Sequence, residues 1–351
     1  MKKNKWVSNM IERWQNDARY RRQVMINIVV IACICVIACI VFWWIKKDNA
    51  RKELLLNHNS IEVDGKTYIQ KDDVISILVL GIDLRGTIEN EKKEIGYNGQ
   101  SDMMCVVSYD KTTQQAYIVT IPRETMTTID LREKQDPAFP TKEAQICLQY
   151  ANAKSSQEGA ELSRKCVEDL LGIPIDYYVA LSMGGIQALV DDIGGVSITM
   201  SEDYDVPDYN EVPGEEVWVK YRKGETVTMD GARAYEFVHY RDTEHNSTNL
   251  IRMKRQRDFF DAFISSAKKK VKKDPKIILS IVSDLKDYMT TDIEPKEYVT
   301  LGQYAINAEI PQDSVMRIPG EEMHVGEYDQ YHVDKKQLVQ MILPIYYEEL
   351  K

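Results

Sequence analysis

The stretch Ile75-Ser76-Ile77-Leu78-Val79-Leu80-Gly81-Ile82-Asp83-Leu84-Arg85 decides the fold. Residues 75–82 are nearly all apolar, as a strand buried on both faces requires. An acid and an arginine stand where that strand ends. Met103–Ser108 and Ala116–Ile121 are similar runs, with Ser101-Asp102 leading into the first and Pro122-Arg123-Glu124 leaving the second. Upstream, Ile61–Gln70 alternates about Asp64-Gly65, a hairpin signal. Downstream, Glu161–Leu171 has helical spacing (Leu162, Cys166, Leu170) and stops at Gly172, with Pro174 just beyond. Tyr177–Leu181 and Val196–Met200 read as strands, and Gly185–Ile193 between them as a helix ended by Gly194-Gly195. Asp230 caps a helix reaching about His239, and a longer one starts at Asn249 or a neighbour and reaches about Lys270. Further helices are expected near 277–289, 295–308 and 334–349, with a strand near Val315–Ile318. Strands and helices that alternate in this way make a layered α/β domain.

Charge divides the 351 residues unevenly. Residues 1–24 carry seven basic side chains against Glu12 and Asp17, Met25–Ile45 carry none, and the remainder brings the chain to a net −10. An acidic body of this kind excludes a nucleic-acid binder driven by bulk charge, and 44% apolar content excludes a disordered chain. The 21 uncharged residues would span about 31 Å as a helix, close to the hydrocarbon thickness of a bilayer. Trp43 and Trp44 suit its interface. A cleaved signal peptide would have a shorter apolar region and a small-residue cleavage site, whereas Lys46-Lys47 follows here. Seven basic residues before the span and four soon after it (Lys46, Lys47, Arg51, Lys52) place the N-terminus in the cytoplasm and the body outside. The cysteines beyond the span are expected to be buried free thiols, with a Cys147–Cys166 bridge as the alternative. The acid-rich Glu202–Glu216 reads as a solvated loop, and Lys268–Lys273 as basic groups at a helix C-terminus.

No G-x-S-x-G, P-loop or G-x-G-x-x-G occurs, and the five histidines form no metal-ligand pair. What remains is a set of acids and arginines at element ends: Asp83, Arg85, Asp102, Arg123, Glu124, Arg241 and Asp242, with Arg252, Arg255, Gln256 and Arg257 on one helix. Positions 252, 255, 256 and 259 share a helix face. Ligands bind at strand ends in α/β sheets, and arginine is the side chain for bidentate phosphate recognition. Two nearby Asp can hold Mg²⁺ against phosphate. These residues therefore point to an extracytoplasmic site for a phosphorylated ligand. Glu124, Asp102 and Asp242 are all open as general base.

At these residues the chain resembles the LytR-CpsA-Psr family of bacterial cell-envelope proteins. The motifs are Ile77–Arg85, Gly99-Gln100-Ser101-Asp102, Ile121-Pro122-Arg123-Glu124-Thr125, Gly172–Tyr178, Val190–Val196 and Arg252-Met253-Lys254-Arg255-Gln256, in family order over about residues 75–265. The resemblance implies a three-layer α/β/α domain with a mixed central sheet and an apolar pocket for a polyprenyl chain, behind a single N-terminal transmembrane helix. It implies Mg²⁺-dependent transfer of a glycopolymer from an undecaprenyl-pyrophosphate carrier to a muramic-acid hydroxyl of peptidoglycan. By position, Asp83 and Asp102 become the magnesium ligands. Arg85, Arg123, Arg241, Arg252, Arg255 and Gln256 become the pyrophosphate contacts, with Arg85, Arg123, Glu124 and Arg241 at the reacting centre. The expected organisation is a cytoplasmic segment 1–24, a membrane helix 25–45, a stalk and hairpin 46–74, and an extracellular catalytic domain 75–351. The chain departs from the family pattern at Gln100, Glu124, Gln145-Ile146-Cys147, His239 and Asn249. Thinned charge at several of these positions leaves a second expectation, a catalytically weak polyprenyl-pyrophosphate-binding protein or a pyrophosphatase.

Overall fold

The computed structural model describes residues 59–88, 98–131, 141–208, 217–240, 248–274, 276–311, 313–326 and 328–350, with Lys46 and Gly96. The expected membrane span 25–45 lies outside them, and no helix among the described residues is long and apolar enough to cross a bilayer. The first elements are β1 (Ser60–Val63) and β2 (Lys66–Gln70). Asp64 and Gly65 between them have φ of 50° and 75°, the two positive values that a two-residue type I′ hairpin requires. Three long strands follow, β3 (Val74–Ile82), β4 (Ser101–Asp110) and β5 (Gln115–Ile121), then the short pair β6 (Met126–Asp130) and β7 (Thr141–Gln145). Next come α1 (Leu148–Ala151), α2 (Ser156–Leu171), β8 (Tyr177–Ser182) and α3 (Met183–Asp192).

The middle of the chain holds β9 (Val196–Thr199), β10 (Tyr204–Asp208), β11 (Val217–Tyr221) and β12 (Thr226–Met229), then α4 (Gly231–His239), α5 (Thr248–Lys273) and α6 (Ile277–Leu285). It closes with β13 (Met289–Thr291), α7 (Tyr298–Asn307), β14 (Val315–Arg317), β15 (Gly320–Val325), β16 (Tyr328–Val333), α8 (Lys335–Tyr346) and β17 (Tyr347–Glu349). The chain forms two compact units. Asp72–Tyr346 is one, and the other contains the small sheet β1-β2-β17.

The larger unit is built on a six-stranded mixed sheet of order β13-β8-β3-β4-β5-β14. β3 runs parallel to β8 and β5 to β14, while β3–β4, β4–β5 and β8–β13 are antiparallel. Leu78, Leu80 and Ile82 of β3 are fully buried. Its alternate residues Ile77 and Val79 are only half-buried, so β3 has one sealed face and one partly open apolar face. Helices start where side chains can serve their orphan N–H groups. Ser155 accepts the Glu158 N–H (3.2 Å) at α2, Ser182 that of Gly185 (3.4 Å) at α3, and Asp230 that of Arg233 (2.9 Å) at α4. A second core lies among α3, α4 and strands β9 to β12, where Val190, Ile198, Met229 and Phe237 are fully buried.

Several expectations change. Glu202–Glu216 is not all solvated loop, because Tyr204–Asp208 pairs antiparallel with Val217–Tyr221 and buries Tyr204 and Val206. The acid count conceals that alternation. The expected helix 277–289 ends at Leu285, and Met289–Thr291 is an edge strand of the central sheet. The expected helix 334–349 ends at Tyr346, and Tyr347–Glu349 is a strand paired with β2. Three-residue strands are too short to show a period of two. Cys105, Cys147 and Cys166 are buried and free, as expected, and the alternative Cys147–Cys166 bridge does not form.

Candidate active site

The site lies where β3 ends and β4 begins. The Asp83 N–H bonds to the Gln100 carbonyl (2.9 Å), the Leu84 N–H to that of Ile82 (2.7 Å), and the Met183 N–H to that of Leu84 (3.0 Å). Gly99 has φ +78°, and a Cβ there would stand 3.0 Å from both Ile82 and Leu84 and 3.2 Å from the Asp83 carbonyl. Only glycine lets the two segments approach this closely. Asp83 and Asp102 are thereby brought to one corner of the sheet. Arg123 enters from the turn after β5, which is held by the Thr125 N–H and hydroxyl on the Pro122 carbonyl (3.0 and 2.7 Å).

Arg123 is held on three sides. Its Nη1 donates to Asp102 Oδ1, its Nη2 to Gln100 Oε1 (3.0 Å), and its Nε lies 3.7 Å from Glu124 Oε1. Gln100 Oε1 also faces Cys147 Sγ at 3.8 Å. Burial pushes the Asp102 carboxyl above its usual range, and the charge of Asp83 adds to this, while Arg123 and Arg252 oppose it. Two carboxylates and two arginines therefore share one field. His239, at the end of α4, belongs to the same cluster. Burial is the main cause lowering its pKa, helped by Arg85 and Arg252 and opposed by Asp83 and Asp102, which favours the neutral imidazole. It stacks on Tyr235 one helical turn earlier, ring centroids 5.2 Å apart and 15° from parallel. Arg85 and Asp83 both act on the Tyr235 hydroxyl.

The structure thus brings together Asp83, Arg85, Asp102, Arg123, Glu124 and Arg252. Arg255 and Gln256 have a different setting. Arg255, 3% exposed, donates Nη2 to the Tyr240 carbonyl and lies 6.0 Å and 5.4 Å from the Phe237 and Tyr240 ring centroids. Burial lowers its pKa to about 10. Gln256 donates Nε2 to the Val238 carbonyl (3.3 Å). Their hydrogen bonds go to the carbonyls that end α4, groups a helix leaves without intrahelical partners. Arg241, Asp242 and the side chain of Asn249 lie outside the described residues. Gln145 bonds the Asp329 carbonyl (2.8 Å). Sequence reasoning noted His239 only as a departure and did not notice Tyr235. Their i, i+4 spacing on a capped helix was the available signal.

Among the described residues no group of three or more His, Cys, Asp or Glu has metal-binding geometry. The Asp83–Asp102 pair still suits Mg²⁺, which commonly takes one or two carboxylates and completes its shell with water and substrate phosphate. The rise in the Asp102 pKa caused by Asp83 is a repulsion that a divalent cation would relieve.

A mixed sheet with paired carboxylates and converging arginines at one corner defines the chain as an α/β protein. The chain belongs to the LytR_cpsA_psr family, whose model matches residues 41–343. A polyisoprenyl-teichoic acid–peptidoglycan teichoic acid transferase, TagU of Oceanobacillus iheyensis, is 27% identical over 205 residues, covering 58% of this chain and 54% of that one. The chain thus spans little more than half the length of that relative. A solved Streptococcus agalactiae protein shares the fold with TM-score 0.59 at 24% identity, over 77% of this chain and 85% of the other. Bacillus subtilis TagV does so with TM-score 0.54 at 22% identity, over 77% and 94%.

Proposed function

We propose that this chain transfers a glycopolymer from a polyprenyl-pyrophosphate carrier to a peptidoglycan hydroxyl, forming a phosphodiester with Mg²⁺ at Asp83 and Asp102. The observation that carries the proposal is the convergence of Arg85, Arg123 and Arg252 on that carboxylate pair at the end of β3. The acceptor hydroxyl loses its proton to a carboxylate of the cluster as its oxygen attacks the phosphorus that bears the sugar, the bridging P–O bond breaks, and polyprenyl phosphate leaves. Phosphoryl transfer needs positioning and charge neutralisation more than covalent help, and a pyrophosphate suits several arginines. Bound Mg²⁺ would share the charge on the phosphate oxygens. Arg123, fixed by Asp102 and Gln100, presents an oriented guanidinium. Arg85 and Arg252 supply charge on the other sides of the cluster.

The partly open face of β3 supports the polyprenyl part of this reading. Ile77 and Val79 are half-buried, as are Val179 and Leu181 of β8, and Met103 beside Gly81 keeps 42% exposure. That apolar strip leads toward Asp83. The body is assigned to the extracellular side, anchored by the uncharged segment 25–45, on the support of the flanking basic residues. The relatives' name supports a teichoic-acid-like polymer as the class of donor.

One observation favours a second reading, a binding protein with little turnover. Arg123 already has Asp102, Gln100 and Glu124 around it, so a pyrophosphate competes with this chain's own acids for its charge. Single-turnover incubation of the full chain with a lipid-linked polymer, peptidoglycan and Mg²⁺ separates the two. Transferred product supports the enzyme. Bound donor without product supports the binder.

A further inference from the structure

Next to this cluster stands an aromatic ring with no role in the reaction described above. β11 turns Val219 and Tyr221 toward the second core and Trp218 away from it, and Trp218 keeps 41% exposure. A tryptophan left this open forgoes part of its apolar burial, yet the ring is held in place. Its partner across the strand pair is the buried Pro207. It makes a T-shaped contact with Tyr240, ring centroids 5.6 Å apart at 85°. Tyr240 is itself pinned, with its carbonyl on Arg255 Nη2 and its ring 5.4 Å from that guanidinium. Tyr240 directly follows His239, which lies in the field of Asp83, Arg85, Asp102 and Arg252. A rigid, solvent-facing aromatic surface thus adjoins the pyrophosphate cluster.

We infer that Trp218, braced by Tyr240, is a stacking platform for the hexose ring joined to the pyrophosphate. A pyranose presents an apolar face of C–H groups that packs against an aromatic ring. Such rings supply large contact area at little entropic cost because they have two rotatable bonds and are pre-positioned. The buried Arg255 then acts at one remove, holding Tyr240 and through it the platform. This inference rests on the reading of the cluster as a pyrophosphate site and adds to it where the sugar sits.

The test compares two probes on the detergent-solubilised full chain, a polyprenyl pyrophosphate bearing one N-acetylhexosamine and the same lipid without sugar. Trp218→Ala is expected to weaken binding of the glycosylated lipid about tenfold and that of the bare lipid much less, with Trp218→Phe keeping most of the affinity. The other four tryptophans, Trp6, Trp14, Trp43 and Trp44, all precede residue 45. The difference between wild-type and Trp218→Phe fluorescence therefore isolates this ring, and it should shift with the glycosylated lipid alone. Equal affinities of wild type and Trp218→Ala for the glycosylated lipid overturn the platform and leave the pyrophosphate site standing. So does an equal loss for both lipids, which would mean that Trp218 acts only through Tyr240. Failure of the wild type to bind either lipid removes both readings.

Discussion

Arg123 shows how single residues set the chemistry. Its guanidinium is oriented by a carboxylate on one nitrogen and an amide oxygen on another, a fork that a lysine ammonium cannot reproduce. Arg123→Ala is therefore expected to lower the transfer rate about 10²- to 10³-fold, and Arg123→Lys to recover little of it. Transfer measured at saturating donor checks this, and a Lys variant near wild-type rate contradicts the oriented fork. Burial pushes the Cys105 and Cys166 thiols up to about 12. A raised thiol pKa means that the reactive thiolate is scarce at pH 8 and grows only toward pH 12. Peptide mapping after brief iodoacetamide treatment of the native chain should find both unmodified at pH 8, whereas unfolding should expose them to complete labelling. Complete labelling of either in the native chain contradicts its burial. At this scale the sequence named Asp83, Arg85, Asp102, Arg123 and Arg252 by their places at element ends. It could not show that Arg255 and Gln256 bond the end of α4, because that follows from how α5 packs on α4.

Elements were legible where local rules are strong. The Asp64-Gly65 turn, the Gly172 stop and the Asp230 cap each appear with the expected geometry. The rest depended on distant partners. β13 and β17 have three residues each and are strands only because β8 and β2 offer them hydrogen bonds, whereas the equally short β14 is legible in Val315–Ile318. β10 hides within acidic sequence, and Pro207 in it is tolerated in a two-stranded sheet. The join of α3 and α4 gives a test. A Cβ on Gly231 would lie 2.2 Å from the Gln187 carbonyl, and its N–H bonds to Asp191 Oδ1 at 2.8 Å. Gly231→Ala forces backbone apart and should cost about 1–3 kcal/mol, while Asp230→Ala, which removes a cap, should cost about 1 kcal/mol. Urea midpoints read the two directly. A Gly231→Ala midpoint above that of Asp230→Ala would show that the two helices are not packed this closely.

For the whole molecule, charge is most informative where it departs from its own average. The chain is acidic, with a net −10, yet Arg85, Arg123 and Arg252 meet at one corner of the central sheet. Net charge averages over that corner and conceals it. The proposed topology predicts that protease added to intact cells digests the body of the chain and spares residues 1–24. Protection of the body would reverse the orientation. The central claim is that the cluster at the end of β3 performs phosphoryl transfer, and single-turnover reaction of the full chain with a lipid-linked polymer and peptidoglycan tests it most directly. Mg²⁺-dependent product from the wild type, lost in both Asp83→Ala and Arg123→Ala, is the predicted result. Undiminished transfer by both variants would contradict it.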